Sequence, residues 1–171
     1  MRNIYIVGFM GTGKTSISKA LAEDLSLEYV SMDDAIEERE SRSINAIFER
    51  DGEEYFRRVE SEVLKELTEK ENQIVDTGGG VILSEENVKN MKSTGTVVCL
   101  WSDARTVHER TSEQGHRPLL NVENPEEHIA ELIEKRRPFY VKAADFHVDT
   151  SGGQERIILE RIKDCLSIEE E

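Results

Sequence analysis

Residues Gly8–Thr15 read GFMGTGKT and complete the pattern G-x-x-x-x-G-K-[ST] of a phosphate-binding loop. An apolar run at residues 4–7 precedes this loop and a helical pattern follows it, which is the strand–loop–helix context that the motif requires. Glycine permits the tight turn, and successive backbone N–H groups then face an anion at a helix N-terminus. The alternative, a glycine turn with an incidental lysine, does not explain this context. The sequence predicts a site for a nucleotide triphosphate.

Two side chains of the loop carry its chemistry. Lys14 is expected to reach the β- and γ-phosphates of ATP, and the Thr15 hydroxyl is expected to hold Mg²⁺. The predicted ATP-binding residues at this end are Gly11, Thr12, Gly13, Lys14, Thr15 and Ser16.

Length, charge and cysteine content narrow the class of protein. The 171 residues suit one domain, with no linker-like segment dividing them. With 36 acidic and 22 basic residues the net charge is −14, which argues against nucleic acid or an anionic membrane as a partner. No apolar stretch is long enough to span a membrane, and because the first strand is predicted to start near residue 3, we expect no targeting peptide. Cys99 and Cys165 form no metal or disulfide framework, so we expect a location in the reducing cytoplasm. We also expect a monomer.

Strand and helix patterns alternate along the whole chain, which predicts an α/β fold. Five short strands between helices indicate a parallel sheet covered on both faces, in a single domain over residues 1–171. The predicted strands lie near residues 3–8, 28–31, 74–76, 96–101 and 146–150. The predicted helices lie near 14–25, 33–40, 44–50, 51–70 and 125–142, with further starts at Ser84 and Ser102 and a last helix that carries Ile158, Ile162 and Leu166.

Ligands of parallel sheets bind beyond the carboxyl ends of the strands, and polar residues gather there. Asp33 and Asp34 follow the second strand, and a carboxylate at that place could orient an acceptor hydroxyl and take its proton. Asp33 could equally cap the helix that follows. The triple glycine Gly78–Gly80 follows the third strand and permits either close approach to a ligand or a sharp turn.

Two arginine pairs are candidates for binding an anionic substrate. Arg57 and Arg58 lie in the long helix, and Arg136 and Arg137 lie in a later helix just before a proline. Arginine can clamp a planar carboxylate through two parallel hydrogen bonds, which lysine cannot match. Ordinary surface ion pairs with nearby glutamates are the alternative.

A polar segment without periodicity follows Arg110 and contains Arg117. It is typical of a mobile loop, and we expect a lid at about residues 111–123 that excludes water and delivers an arginine to the transferred phosphoryl group. A plain surface loop is the alternative. Asp76, at the end of the third strand, could hold a magnesium-bound water or serve the sheet end alone.

Several further motifs, in order over nearly the whole chain, resemble those of the shikimate kinase family. They are Gly8–Ser16, Arg42–Phe48, Gly52–Glu53, Phe56–Glu60, Thr77–Gly80, Arg117–Leu120, Arg136–Tyr140, Ala144–Asp145 and Val148–Thr150. The resemblance implies transfer of the γ-phosphoryl group of ATP to the 3-hydroxyl of shikimate, in the chorismate pathway of aromatic amino-acid synthesis. It also implies a three-layer P-loop kinase fold with a five-stranded parallel sheet, in which shikimate-binding helices would cover about residues 33–60.

The resemblance also implies roles for individual residues. Asp33 would bind the ring hydroxyls and act as the base, with Lys14 and Arg117 as the other catalytic residues. The remaining implied contacts are Arg57, Gly79, Gly80 and Arg136 on shikimate, and Arg110, Arg117 and Gln154 on ATP.

One position departs from the family pattern. The family commonly has Asp-x-Asp after the second strand, whereas this chain has Ser31-Met32-Asp33. Because serine adds no negative charge, we expect weaker magnesium binding rather than lost activity, with Asp34 or Asp76 as candidates to compensate. A Ser31→Asp variant with unchanged magnesium dependence would contradict this expectation.

Two other functions fit parts of the sequence. Another small-molecule P-loop kinase, acting on gluconate or a nucleoside monophosphate, is disfavoured by the paired arginines and the triple glycine. A non-catalytic relative is supported only by Ser31, while Lys14, Thr15, Asp33 and Arg117 stand against it.

Overall fold

A computed structural model describes residues 2–112 and 122–167 of the chain. Its strands are β1 (Asn3–Gly8), β2 (Glu28–Ser31), β3 (Gln73–Asp76), β4 (Gly95–Trp101) and β5 (Phe146–Asp149). All four pairings are parallel, and the sheet order is β2-β3-β1-β4-β5. The strands begin and end within one residue of the predicted bounds, and the predicted α/β fold is confirmed.

Helices connect the strands and cover both faces of the sheet. They are α1 (Lys14–Asp24), α2 (Met32–Glu40), α3 (Ile44–Thr68), α4 (Glu85–Thr94), α5 (Ala104–Ser112), α6 (Pro125–Ala143) and α7 (Glu155–Leu166), with a short 3-10 turn at Val81–Leu83. No helix in the described ranges is both long and apolar enough to cross a membrane.

The start of α2 decides between the two roles that the sequence left open for Asp33. The Ser31 hydroxyl accepts a hydrogen bond from the backbone N–H of Asp34 at 3.1 Å, so Ser31 caps this helix. Asp33 lies inside the first turn, where its carboxylate is oriented by the helix but does not cap it. The capping alternative for Asp33 is therefore wrong.

Two other predicted helix starts have different outcomes. Ser84 caps α4 as predicted, accepting the N–H of Asn87 at 3.3 Å. The start predicted at Ser102 is wrong by one residue, because the carboxylate of Asp103 accepts the N–H of Thr106 at 2.7 Å. Ser102 is left to form other hydrogen bonds.

The long helix α3 is interrupted at Gly52, whose φ of +83° and ψ of 176° are not helical. The sequence predicts two helices that meet near this residue, and the interruption agrees with that prediction. The Asp51 carboxylate, next to this interruption, contacts the guanidinium of Arg42. Gly52 thus redirects the chain before the segment that carries Arg57.

The core has two halves, one on each face of the sheet. Alternate residues of the central strand β1 contribute to the two halves. Tyr5 and Val7 pack with α3 and α6. Ile4 and Ile6 pack with α1 and α7 on the other face. Every residue of β1 is buried, as expected for the centre of a parallel sheet. This rigid strand ends at the phosphate loop and fixes its position.

Candidate active site

The phosphate loop joins β1 to α1 in a conformation that needs glycine. Gly11 and Gly13 have positive φ values of +72° and +90°. A Cβ on Gly8 would lie 2.6 Å from the carbonyl oxygen of Leu100, so the loop passes too close to β4 for a side chain. Gly13 is the N-cap of α1 and has no side chain to occupy the first-turn N–H groups. The loop leaves those donors to an anion.

The side chain of Lys14 folds back across the phosphate loop. Its ammonium donates to the carbonyl oxygens of Gly8 at 3.0 Å and Phe9 at 3.1 Å. The Thr12 hydroxyl also donates to the Phe9 carbonyl, at 2.8 Å. These hydrogen bonds hold the positive charge of Lys14 beside the loop, where it can meet phosphate oxygens.

Thr15 and Asp76 are brought together by the pairing of β1 with β3. The Thr15 hydroxyl donates to Oδ2 of Asp76 at 2.7 Å, and the Tyr29 hydroxyl donates to the same oxygen at 3.3 Å. Burial raises the pKa of Asp76, which the hydrogen bond from Thr15 and the charge of Lys14 oppose. Hydroxyl and carboxylate oxygens are the hard ligands that suit Mg²⁺, so the residues present fit a magnesium ion.

Asp33 and the buried Glu60 flank Gly78. A Cβ on Gly78 would lie 3.0 Å from Oε1 of Glu60 and 3.5 Å from Oδ1 of Asp33. Asp33 is exposed to solvent, and partial desolvation is the largest of the effects that raise the pKa of its carboxyl group. The negative charge of Asp76 raises the pKa further, while Lys14 lowers it. Asp33 is thus a carboxylate with increased basicity beside a lysine.

Arg57 lies against Gly80 on the same side of the site. A Cβ on Gly80 would overlap the guanidinium, at 2.6 Å from Cζ. Nη1 of Arg57 donates to Glu60 at 2.9 Å, and Glu60 is only 2% exposed. Nε of Arg57 is buried and has no hydrogen-bond partner among the described residues. The guanidinium is therefore fixed along one edge, and its Nε is a buried donor that the described residues leave unpaired.

Arg136 approaches the triple glycine from α6. A Cβ on Gly79 would lie 3.6 Å from its Nη1, and its Cζ lies 5.8 Å from the centre of the Phe9 ring. The Tyr140 hydroxyl donates to the Gly79 carbonyl at 2.6 Å, which ties α6 to the glycine turn. Arg57 and Arg136 thus both lie within reach of the Gly79–Gly80 backbone.

The neighbouring arginines point elsewhere. Arg58 packs over the ring of Tyr55, and Arg137 packs over the ring of Trp101 at 4.8 Å while pairing with Glu134. In each pair, therefore, one arginine lies at the triple glycine and its neighbour points away. The residue pattern alone did not make this distinction.

Arg110 ties three segments together at the other end of the phosphate loop. Its Nη1 donates to the carbonyl of Gly11 at 3.2 Å and to the hydroxyl of Ser102 at 3.1 Å, and its Nη2 donates to the carbonyl of Thr150 at 3.0 Å. The Thr150 hydroxyl donates to the Thr12 carbonyl at 2.7 Å. The Arg110 guanidinium thus lies beside the loop, and its implied contact with ATP stays a prediction.

The remaining predicted ATP ligands lie at the starts of α1 and α7 or outside the described residues. The Ser16 hydroxyl donates to Glu155 at 3.0 Å, and Gln154 is the N-cap residue of α7. Arg117 and most of the predicted lid at 111–123 lie outside the described residues.

Three residues of the site carried no predicted role. Glu60 and Tyr140 stand within the motifs at Phe56–Glu60 and Arg136–Tyr140, so their position in the motif was the available signal. Thr150 follows β5 and accepts a hydrogen bond from Arg110, and its place in the motif Val148–Thr150 was likewise the available signal.

Three features of the site define the class of P-loop kinases that act on small molecules. They are the phosphate loop, a hydroxyl–carboxylate pair that fits magnesium, and the polar group of Asp33, Arg57 and Arg136 beside the loop. The family model for shikimate kinase matches residues 10–167. The chain belongs to the shikimate kinase family.

Individual relatives agree with this assignment. A shikimate kinase of Thermodesulfovibrio yellowstonii is 45% identical over 95% of this chain and 93% of its own. A solved shikimate kinase of Acinetobacter baumannii in complex with shikimate has a TM-score of 0.90 at 38% identity, covering 100% of this chain and 96% of the other. A deoxyadenosine kinase of M. mycoides, at 19% identity and a TM-score of 0.63, covers 96% of this chain and 98% of its own and shares the fold alone.

Proposed function

We propose that this chain transfers the γ-phosphoryl group of ATP to the 3-hydroxyl of shikimate, giving shikimate 3-phosphate and ADP in the chorismate pathway. The observation that carries the proposal is the convergence of Asp33, Arg57 and Arg136 on the triple glycine, directly beside the phosphate loop. Shikimate is a carboxylated ring with hydroxyls, and this group offers cations for the carboxylate and an anion for the hydroxyls.

The acceptor side of the mechanism follows from these contacts. Arg57 and Arg136 hold the carboxylate, and the backbone of Gly79 and Gly80 lies against the ring. Asp33 accepts a hydrogen bond from the 3-hydroxyl and takes its proton as the oxygen attacks phosphorus. Because the substrate is held from two sides, attack is effectively unimolecular.

The donor side relies on the phosphate loop. Lys14 and, from the predicted lid, Arg117 stabilise the charge that spreads over the equatorial phosphate oxygens. Mg²⁺ held through Thr15 would neutralise charge on the β- and γ-phosphates. Arg110 and Gln154 are the proposed contacts at the nucleoside end, and closure of the lid excludes water. We place the enzyme in the cytoplasm as a monomer that needs no nucleic-acid or membrane partner.

A coupled assay of ADP release tests the proposal. Shikimate, quinate, gluconate and nucleoside monophosphates are offered at equal concentration with MgATP, and the expected result is turnover with shikimate far above turnover with the others. Preference for gluconate or a nucleoside monophosphate would identify another kinase, and no turnover with any acceptor would indicate a non-catalytic relative.

Gly80→Ala is expected to weaken shikimate binding by displacing Arg57. The added Cβ overlaps the guanidinium, which can move because it is the far end of a flexible side chain. One charge-assisted contact is then weakened, and we expect the KM for shikimate to rise by about tenfold with the melting temperature nearly unchanged. Steady-state kinetics and thermal melting measure the two quantities.

A double-mutant cycle shows whether Gly80→Ala acts through Arg57. If it does, the pair Arg57→Ala and Gly80→Ala together raise the KM no further than Arg57→Ala alone. Additive effects would contradict the steric explanation and indicate that Gly80 contacts the substrate directly.

A further inference from the structure

Asp76 lies where three elements meet. It ends β3, its register partner on β2 is Ser31, and it is 7% exposed. The hydroxyls of Thr15 and Tyr29 both donate to the same carboxylate oxygen. A carboxylate from the third strand thus contacts the phosphate-loop residue that is expected to carry magnesium.

Ser31 does not supply a charge at this edge of the sheet. Its hydroxyl accepts the backbone N–H of Asp34 as the cap of α2, so it is committed to the local helix start. Asp33 lies beside Gly78 and Glu60, on the side of the expected acceptor. Asp34 is exposed, whereas Asp76 contacts Thr15 directly.

We propose that Asp76 is the carboxylate of the magnesium site, acting through the Thr15 hydroxyl, and that Tyr29 is a positioning residue that orients this carboxylate. The proposal rests on the proposed function, because the cation is the one that accompanies the nucleotide. With Asp76 in this role, the negative charge that Ser31 lacks comes from β3, and the expectation of weaker magnesium binding no longer applies.

The hydrogen-bond geometry explains how Asp76 acts. A threonine hydroxyl has one proton and two lone pairs, and the proton is given to Asp76 at 2.7 Å. The lone pairs are then directed to a cation, and the carboxylate increases the electron density on the hydroxyl oxygen. Outer partners of this kind typically change metal affinity by about 10–100-fold. Tyr29 donates to the same Oδ2, which restrains rotation of the carboxylate.

The direct test measures cation affinity rather than turnover. Binding of Mn²⁺ to the full chain saturated with ADP is followed by electron paramagnetic resonance, with displacement by Mg²⁺ as a check. Asp76→Asn is expected to weaken Mn²⁺ binding by about 10–100-fold, while ADP binding in the presence of a chelator is kept. Unchanged Mn²⁺ affinity in Asp76→Asn would overturn the proposal.

Asp34→Asn is the matched control, because it removes a neighbouring charge that does not contact Thr15. Its Mn²⁺ affinity is expected to equal that of the wild type, and a loss as large as that of Asp76→Asn would overturn the assignment. Tyr29→Phe keeps every charge and is expected to weaken Mn²⁺ binding by about threefold to tenfold, which also tests the proposal should Asp76→Asn fail to fold. An unchanged affinity in Tyr29→Phe removes its positioning role.

Moving the carboxylate across the β2–β3 register completes the test. The double variant Ser31→Asp with Asp76→Asn is expected to bind Mn²⁺ more tightly than Asp76→Asn alone. The reason is that a carboxylate is then present again, at the paired position on the adjacent strand β2. Failure of the proposed function has a different signature: the wild type would bind Mn²⁺ and ADP through Asp76 but would not phosphorylate shikimate.

Discussion

Asp33→Asn is expected to lower kcat for shikimate phosphorylation by about 10²–10⁴-fold, the usual contribution of a positioned general base. Asparagine keeps the shape and the hydrogen-bonding oxygen of the side chain but cannot take the proton of the acceptor hydroxyl. ATP affinity should be kept, because the side chain lies beside Gly78 and Glu60 rather than in the phosphate loop. Single-turnover kinetics together with nucleotide binding separate the two effects.

The pH dependence of kcat provides a second readout for Asp33. Desolvation raises the pKa of its carboxyl group above the ordinary value, so the group is protonated at a pH where a solvated aspartate is still ionised. Activity of the wild type should therefore fall with decreasing pH along a limb that lies above the usual aspartate range. Asp33→Asn should remove this limb.

Stability distinguishes loss of chemistry from loss of fold. A carboxyl group with a raised pKa in the folded state binds protons more readily there than in the unfolded chain, so its ionisation at neutral pH opposes folding. Asp33→Asn should consequently melt no lower than the wild type. Asp34→Asn is the matched control, with unchanged kcat expected. Near-normal turnover in Asp33→Asn would exclude Asp33 as the base.

The part of the site that follows from local sequence was predictable. The motif Gly8–Thr15 identifies the phosphate loop, and its place between an apolar run and a helical pattern sets the central strand. Parallel pairing then brings all strand ends to one edge, which is why Asp33, Asp76 and Gly78–Gly80 were expected together.

Side-chain direction was not predictable from the sequence. Neighbouring residues on a helix point about 100° apart, so one arginine of each pair faces the site, and only the family resemblance, not the residue pattern, indicated which one. The packing of Arg58 on Tyr55 and of Arg137 on Trp101 makes that choice. The sequence also did not predict that Ser31 caps α2, because its one hydroxyl could serve either the helix or a ligand.

Arg110 illustrates a role that depends on distant segments. Its guanidinium reaches Gly11, Ser102 and Thr150, which are brought together only by the pairing of β4 with β1 and β5. Short motifs contain no information on such a network. Its hydrogen bonds to four acceptor atoms, two of them in Thr150, connect the end of the phosphate loop to the carboxyl ends of the strands.

Arg136→Ala is expected to raise the KM for shikimate on the order of 100-fold, with little change in the KM for ATP. A carboxylate held by a guanidinium through two charge-assisted hydrogen bonds gains about 2–3 kcal/mol, and each 1.4 kcal/mol is a factor of ten. Arg136 lies against Gly79 and over Phe9, and the Phe9 ring shields the guanidinium from water on one side. Steady-state kinetics with each substrate varied in turn measure both constants.

Two further variants define what Arg136 recognises. Arg137→Ala removes the neighbouring charge, which pairs with Glu134 and packs on Trp101, and should leave the KM for shikimate unchanged. Arg136→Lys keeps the charge without the planar donor pair and should fall between the wild type and Arg136→Ala. Equal losses for shikimate and ATP in Arg136→Ala would contradict a role in acceptor binding.

The methyl ester of shikimate tests the carboxylate contact itself. The wild type should discriminate strongly between the acid and the ester, because the ester offers no negative charge to the two guanidinium groups. Arg136→Ala should lose much of this discrimination, since its effect falls on the acid and leaves the already poor ester nearly unchanged. If both compounds lose the same factor, Arg136 acts on the shape of the site rather than on the charge of the substrate. Selective loss for the acid assigns the carboxylate of shikimate to Arg136.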